Sequence, residues 1–289
     1  MKLDIFESIQ ILRRLSHYNV IVSASEKTAI PLAMLLSLTK RSIPHVVISH
    51  HLSSKNKNLL FRLWPLYKSF SEIICVSKAQ AEFAVEELKI PPSKVHFIYD
   101  KVDHQFFRPM DEEPEDYILA VGQEQRDYKT LQKALAGTRI KLIIVASSHW
   151  STYRLPIIGE KNTKIVKNIP YHELRSLYAK ARLVVIPLNN VYYAAGANSI
   201  LEAMAMGKLV IVTKTPGIKE YVVDGETGLF VNSLDPESLR GKILEVWDDK
   251  DTLTRIGSNA RQAVEKQMNL PNYVEKISRI VEKVVQENK

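Results

Sequence analysis

At 289 residues, with 45% apolar and 25% charged side chains, the chain is long enough for two domains, which excludes a disordered, collagenous or coiled-coil protein and a small stapled fold. Its single cysteine, Cys75, rules out an internal disulfide or a CxxC metal site and points to a reducing compartment. The net charge of +8 is uneven: residues 1–110 carry 15 Lys+Arg against 9 Asp+Glu, a net of +6, and the other 179 carry 25 against 23, a net of +2. Such an excess suits an anionic partner, whether nucleic acid, an acidic membrane surface or a phosphorylated ligand.

Apolar runs such as 140–146 and 183–188 are strand-length, far below the ~20 residues of a spanning helix. The opening Met1-Lys2-Leu3-Asp4-Ile5-Phe6-Glu7 has early acids and no apolar core, unlike a secretory signal. The expected location is cytoplasmic, or peripheral on the cytosolic face of a membrane.

In chain order, a helix is predicted near 4–15, followed by strands at 20–23, 46–49, 73–76 and 95–98 with helices over 27–40, 56–70 and 78–88 between them. This alternation of short β-branched runs and helix-period segments is the pattern of βα units on a parallel sheet. Residues 109–116, Pro-Met-Asp-Glu-Glu-Pro-Glu-Asp, combine two prolines with acids and no core candidate, which marks a domain junction. A second series follows, with strands at 118–121, 140–146, 164–166, 183–187, 209–213 and 229–231, closed by helices at 236–247, 251–267 and 272–287. The predicted organisation is a first domain over 1–109, a second over 117–270 and a terminal helical segment over 271–289. Two open α/β sheets in series present a cleft, where such folds bind ligands at the carboxyl ends of strands.

All ten glycines lie at or after Gly122. An N-terminal Gly-rich phosphate loop is thereby excluded, both the dinucleotide fingerprint and the Walker type. The chemistry concentrates between Pro187 and Leu209: a buried strand ends, a polar loop follows, and a helix starts near Asn198 or Ser199 and stops at Gly207. The backbone N–H groups of Gly196, Ala197, Asn198 and Ser199 would point out of that helix start, where the macrodipole favours an anion such as a diphosphate. Glu202, one turn further in, is placed to accept hydrogen bonds from a ribose diol. The same Ser199-Ile-Leu-Glu202 is also a capping box, in which Glu202 returns to the cap.

The run Gly196-Ala-Asn-Ser-Ile-Leu-Glu202-Ala-Met-Ala-Met-Gly207-Lys, followed by Val210-Ile-Val-Thr213 and Asp224-Gly-Glu-Thr-Gly228-Leu-Phe-Val, resembles the donor-binding half of a retaining GT-B glycosyltransferase of family 4. Gly122-Gln-Glu-Gln-Arg126 resembles that family's loop after the first strand of the C-terminal domain, where a basic residue clamps the donor diphosphate. Ile98-Tyr-Asp-Lys-Val-Asp103 resembles its exit from the N-terminal domain. The resemblance implies two Rossmann-like domains facing a cleft, with the terminal helix packing toward the first. It also implies transfer of a hexose from a nucleoside diphosphate sugar to a hydroxyl acceptor on a glycan or lipid, with retention and with neither metal nor cofactor. Gly122, Arg126, Gly196, Ala197, Asn198, Ser199 and Glu202 would hold the donor. His51, with His50 beside it, would face the sugar, Arg126 would serve catalysis as well as binding, and backbone of 164–168 would meet the base.

Three departures stand beside these matches. Ala194 occupies the place of a second family glutamate, eight residues before Glu202. Gln123 follows Gly122 where the family has Arg, leaving Arg126 to do the work of a later lysine in a shortened loop. The first βα units of the N-terminal domain are missing, so a second polypeptide supplying them, or a non-catalytic, partner-dependent subunit that binds a sugar nucleotide, is the alternative. For Arg126 the plain alternative is a surface salt bridge with Asp127 or Glu124.

Residues 55–70 mix Lys55, Lys57, Arg62 and Lys68 with Phe61, Trp64, Tyr67 and Phe70, a composition suited to a helix on an anionic membrane or to a core helix with a basic edge. No nucleic-acid module is visible. The one Asp-x-Asp, Asp249-Lys-Asp251, reads as a turn with a helix cap.

Overall fold

The computed structural model describes residues 4–63, 66–146 and 162–288. The chain folds as two compact units, the first comprising 1–99, 192–194 and 271–289 and the second 100–191 and 195–270.

Unit 1 opens with α1 (Ile5–Arg13), whose first turn is capped by the Asp4 carboxylate accepting from the Glu7 N–H at 3.0 Å. A four-stranded sheet follows in the order β1 (Ile21–Ser23), β2 (His45–Ser49), β3 (Glu72–Cys75), β4 (Val95–Phe97), with every pair parallel. α2 (Glu26–Thr39), α3 (Lys55–Leu63) and α4 (Lys78–Glu86) make the crossovers. β2 and β3 are buried along their whole length, as parallel strands covered on both faces must be.

The basic, aromatic stretch of residues 55–70 breaks into α3 and a 3₁₀ turn, Leu66–Ser69. Phe61 and Phe70 are buried in the core between α2 and the sheet, and Tyr67 packs against them. Phe61 and Phe70 are core residues packed with Val47, Ile73 and Ala33, so these two rings do not form a face at the level of lipid headgroups. Trp64 lies outside the described residues. No helix among the described residues is long and apolar enough to cross a membrane.

Unit 2 is built on a six-stranded, wholly parallel sheet in the order β10-β9-β8-β5-β6-β7, comprising β5 (Glu115–Val121), β6 (Lys141–Val145), β7 (Thr163–Val166), β8 (Ala181–Ile186), β9 (Val210–Thr213) and β10 (Leu229–Val231). Counted within the unit this is the order 3-2-1-4-5-6 of a Rossmann sheet, whose switch point falls between β5 and β8. The helices are α5 (Tyr128–Leu135), α6 (Tyr171–Lys180), α7 (Ala197–Ala205), α8 (Pro236–Trp247) and α9 (Lys250–Gln267). α10 (Leu270–Glu287) follows, and from Pro271 onward it belongs to unit 1, where Tyr273, Ile277, Ile280 and Val284 pack on Val46, Ile48 and Ile74.

The junction lies between Tyr99 and Asp100, not in the acidic stretch 109–116. Tertiary bonds capture the intervening residues for unit 2: the Asp100 N–H donates to the Tyr221 hydroxyl at 2.9 Å, and the Leu270 N–H to the Val102 carbonyl at 3.1 Å. Phe107 is buried edge-on to Tyr178. The acids are solvated ends of β5, and Glu112 and Glu115 face Lys180.

Candidate functional site

The switch point of unit 2 opens between two loops, one after β5 and one after β8, and short backbone bonds sew them together. The Asp127 N–H reaches the Pro187 carbonyl at 3.0 Å and the Asn189 N–H reaches that of Gln125 at 2.9 Å, so both loops are held to one geometry. Arg126 sits at this seam and is only 8% exposed. Its Nε donates to the Val121 carbonyl at 2.8 Å, Nη1 to the Glu124 carbonyl at 2.8 Å and Nη2 to Ser199 Oγ at 3.1 Å.

The surface-salt-bridge alternative is therefore excluded. Glu124 offers Arg126 its carbonyl, and the Asp127 carboxylate caps α5 through the Thr130 N–H at 3.1 Å. Three of the five guanidinium N–H groups are spent on protein oxygens, leaving one on each Nη for an anion. A buried cation without a carboxylate partner is costly, and only an anionic ligand or a strongly polar cage offsets it.

Two glycines make room for the guanidinium. Gly122 holds φ at +104°, and a Cβ there would fall 2.3 Å from Nη2 of Arg126. Gly196 holds φ at +87°, and a Cβ there would meet Ile186 and Leu188 at 3.2 Å and Nη1 at 3.4 Å. Both positions demand glycine for backbone conformation and for space alike.

Gly196 is also the N-cap of α7, and no side chain caps that helix. The first bond of the ladder runs from the Ile200 N–H to the Gly196 carbonyl, so the N–H groups of Ala197, Asn198 and Ser199 lie ahead of it at the positive end of the dipole. The helix thus starts earlier than the capping box requires. Ser199 is in the third helical position with its hydroxyl on Arg126, and the Glu202 carboxylate accepts from the Tyr178 hydroxyl at 2.9 Å instead of returning to a cap.

Glu202 keeps some accessible surface. Burial of its carboxyl lifts the pKa to about 7, against the lowering pull of the Tyr178 hydrogen bond and the Arg126 charge. Tyr178 is fully buried, and burial beside that carboxylate raises its phenol well above the ordinary value. Tyr128, also fully buried, donates to the Gly122 carbonyl and steadies the first loop. Sequence reasoning singled out neither tyrosine: Tyr128 closes the motif that opens at Gly122 but carries no charge to mark it, and Tyr178 lies outside every motif.

The two predicted histidines are carried by unit 1, in the loop after β2. A single carboxylate oxygen, Oε1 of buried Glu26, accepts from Ser49 Oγ at 2.8 Å, the His50 N–H at 3.0 Å and the His51 N–H at 2.7 Å. Lys57 lies 3.5 Å from the other oxygen. Burial opposes that charge, but Lys57 and the donors outweigh it and hold the Glu26 carboxyl below its ordinary pKa. Gln80 fixes the next two residues, its Oε1 accepting the Ser53 N–H at 3.1 Å and that of Leu52, while its amide donates to the Tyr192 carbonyl at 2.9 Å. The His51 ring stacks on Tyr193 at 4.0 Å between centroids. Ala194, next in the chain, packs against the unit 1 core. Glu26 and Gln80 read in sequence as ordinary helix-start residues, and nothing local announces that one closes three hydrogen bonds.

Asp249 is the N-cap of α9, accepting from the Thr252 N–H at 2.9 Å. Among the described residues no three His, Cys, Asp or Glu side chains are grouped to hold a metal ion.

Comparison with known proteins matches residues 106–263 to the family model "Glycosyl transferases group 1" and residues 2–106 to "Glycosyltransferase Family 4". The chain is 24% identical over 245 residues to the uncharacterized glycosyltransferase MJ1178 of Methanocaldococcus jannaschii, covering 78% of this chain and 65% of that protein. It is 24% identical to the alpha-maltose-1-phosphate synthase of Mycolicibacterium smegmatis, covering 84% and 73% respectively. Among solved structures, Anabaena Alr3699/HepE in complex with UDP-glucose superposes with a TM-score of 0.80 at 17% identity, over 96% of this chain and 82% of that one. That likeness shows the fold, which is of the GT-B type. Because the family match runs through more than half of the chain and through both loops that cradle Arg126, the chain belongs to the group 1 glycosyl transferases.

Proposed function

We propose that unit 2 binds the diphosphate and ribose of a nucleoside diphosphate sugar, and that the protein transfers the hexosyl group to a hydroxyl acceptor on a glycan or lipid with retention of configuration. The observation that carries this reading is Arg126: a buried guanidinium with no ion-pair partner, bonded to Ser199 in the first turn of α7, one helical turn before Glu202. The UDP-glucose complex of the HepE neighbour supports a nucleotide sugar as donor.

In this reading the bond between the anomeric carbon and the diphosphate breaks as a bond to the acceptor oxygen forms, and the acceptor's proton leaves with the diphosphate. Charge then grows on the departing phosphate oxygens. Arg126 and the amides of Ala197, Asn198 and Ser199 meet it, rather than a metal ion, from positions already set before reaction, the kind of preorganised term that commonly dominates catalysis. Glu202 accepts from the ribose hydroxyls. The role proposed for His51, with His50 adjacent, is contact with the sugar, supported by the rigid clamping of their loop on Glu26 and Gln80.

Ala194, an apolar side chain packed into unit 1, favours one second reading, a subunit that binds the sugar nucleotide without turning it over alone. Calorimetric titration of UDP, GDP and ADP into the wild type, Arg126→Ala and Glu202→Ala tests the first step. Saturable binding of one nucleotide, lost in both variants, is expected, and unchanged binding in Arg126→Ala refutes the site. Proton NMR of the product anomer with the matching sugar nucleotide then separates retaining transfer from binding without turnover.

A further inference from the structure

The excess positive charge of the first 110 residues has a focus away from both histidines. At the amino ends of β2, β3 and β4, a cavity of about 330 Å³ is bordered by Lys40, Arg41, Lys68 and Lys94, together with Ser42 and Ser71. His50 and His51 follow the carboxyl end of β2, so the cavity lies at the opposite end of the same sheet. Its volume is at the lower end of the ~300–1,000 Å³ range of small-molecule sites. No Asp or Glu is among the described residues that line it.

The lining is anchored. Lys94 Nζ donates to the Phe70 carbonyl at 2.8 Å, one of its three N–H bonds, and Ser71 Oγ accepts the His45 N–H at 3.2 Å, which leaves its own O–H to give. Arg41 reaches the Leu12 carbonyl at 3.1 Å through Nη1 and keeps its other nitrogens. The plain explanation of such cations is compensation of helix dipoles, since α2 ends at Lys40 and α10 ends beside Asn288, which also lines the cavity. Two helix ends supply only about −0.5 each. Against four full positive charges that leaves the cavity strongly cationic, and four cations facing one concavity repel each other unless an anion joins them.

We propose that this cavity binds a phosphate group, carried by a soluble ligand or by a lipid headgroup, at a site separate from the one around Arg126. Serine hydroxyls and ammonium groups supply the donors that a phosphate's oxygens accept, and the concave shape selects a headgroup-sized anion over a flat polyanion.

The test uses the full chain in the Arg126→Ala background, which silences the unit 2 site, at low ionic strength. Inorganic phosphate and pyrophosphate are titrated calorimetrically, and vesicles of phosphatidylcholine with and without phosphatidylglycerol are co-sedimented. Saturable binding is expected, weakened about fivefold by Lys40→Gln or Lys68→Gln alone and roughly 25-fold by both together, at the upper end for exposed charge pairs acting additively. Both lysines are exposed, and unchanged melting of the double variant confirms that it folds. Soluble phosphate binding without vesicle binding assigns the site to a soluble ligand, and anionic-vesicle binding that phosphate competes away assigns it to a headgroup. No saturable binding of either probe by the folded protein, or binding that the double variant retains in full, overturns the proposal.

Discussion

Replacing Glu202 by Gln separates what this residue costs the fold from what it gives the site. In the folded chain the carboxyl titrates at about 7, against an ordinary 4.5. Between those values the native state keeps a proton that the unfolded chain has released, so the wild type loses stability as pH rises from about 4.5 through about 7. At 1.36 kcal/mol per pH unit, the gap is worth ~3 kcal/mol once Glu202 is fully ionised. Gln keeps the shape and an oxygen for the Tyr178 hydroxyl but cannot ionise. Wild type and Glu202→Gln are therefore expected to melt within about 3 °C of each other at pH 5, where the linkage loss is below about 1 kcal/mol. At pH 8 the variant is expected to melt higher, by roughly 6–12 °C at the 2–4 °C per kcal/mol of a domain this size. Nucleotide binding moves the other way. A charged acceptor is exchanged for a neutral one, so UDP affinity at pH 8 falls about tenfold. The wild-type affinity itself declines below pH 7, by up to about tenfold per unit, as the carboxylate is protonated. Scanning fluorimetry from pH 5 to 8.5, with UDP calorimetry at the same points, reads both. A melting gap that stays constant with pH, or a variant that binds UDP as tightly as wild type, refutes the assignment.

Further substitutions probe the supports around the two loops. Tyr178→Phe removes the hydrogen bond that holds the Glu202 pKa down, so the pH midpoint of UDP binding should move above 7, with a loss of about 1–2 kcal/mol in urea unfolding at pH 8. Gly122→Ala places a Cβ where Nη2 of Arg126 lies and strains a backbone at φ +104°. UDP binding should fall as far as in Arg126→Ala while circular dichroism stays native, and retained binding would show that the guanidinium need not sit there. In unit 1, Glu26→Ala leaves the donors of Ser49, His50 and His51 without their acceptor and Lys57 without its carboxylate partner. A destabilisation of about 3 kcal/mol or more is expected in urea unfolding, and Glu26→Gln should recover part of it by restoring an oxygen.

Periodicity made the elements legible because the central strands are buried on both faces and so read as continuous apolar runs. Val46–Ser49 and Leu183–Ile186 are examples. Strand order is another matter. That β8 lies beside β5, creating the switch point, depends on pairings such as Ile118 with Leu183, which no local pattern encodes. The junction was misplaced for a related reason: the prolines and acids at 109–116 are a local signal, whereas the bonds from Asp100 and Val102 to partners beyond residue 220 are not. Phe61 and Phe70 suggested a lipid surface only until the three-dimensional core claimed them.

The site shows the same limit at atomic scale. Ser199-Ile-Leu-Glu202 satisfies the spacing of a capping box, yet Gly196, free to adopt φ +87°, starts the helix three residues earlier and moves Ser199 inside it. Its hydroxyl is then beside Arg126, and Glu202 is left to a tyrosine 24 residues upstream. The residue types announced an anion site with a diol acceptor behind it. What decides their roles is the spacing of backbone atoms around one guanidinium, and that spacing is set by Gly122 and Gly196. A side chain at Gly122 would occupy the space of the guanidinium, and one at Gly196 would take a left-handed backbone and press on Ile186 and Leu188, so either disturbs the niche in which an arginine is buried without an ion-pair partner.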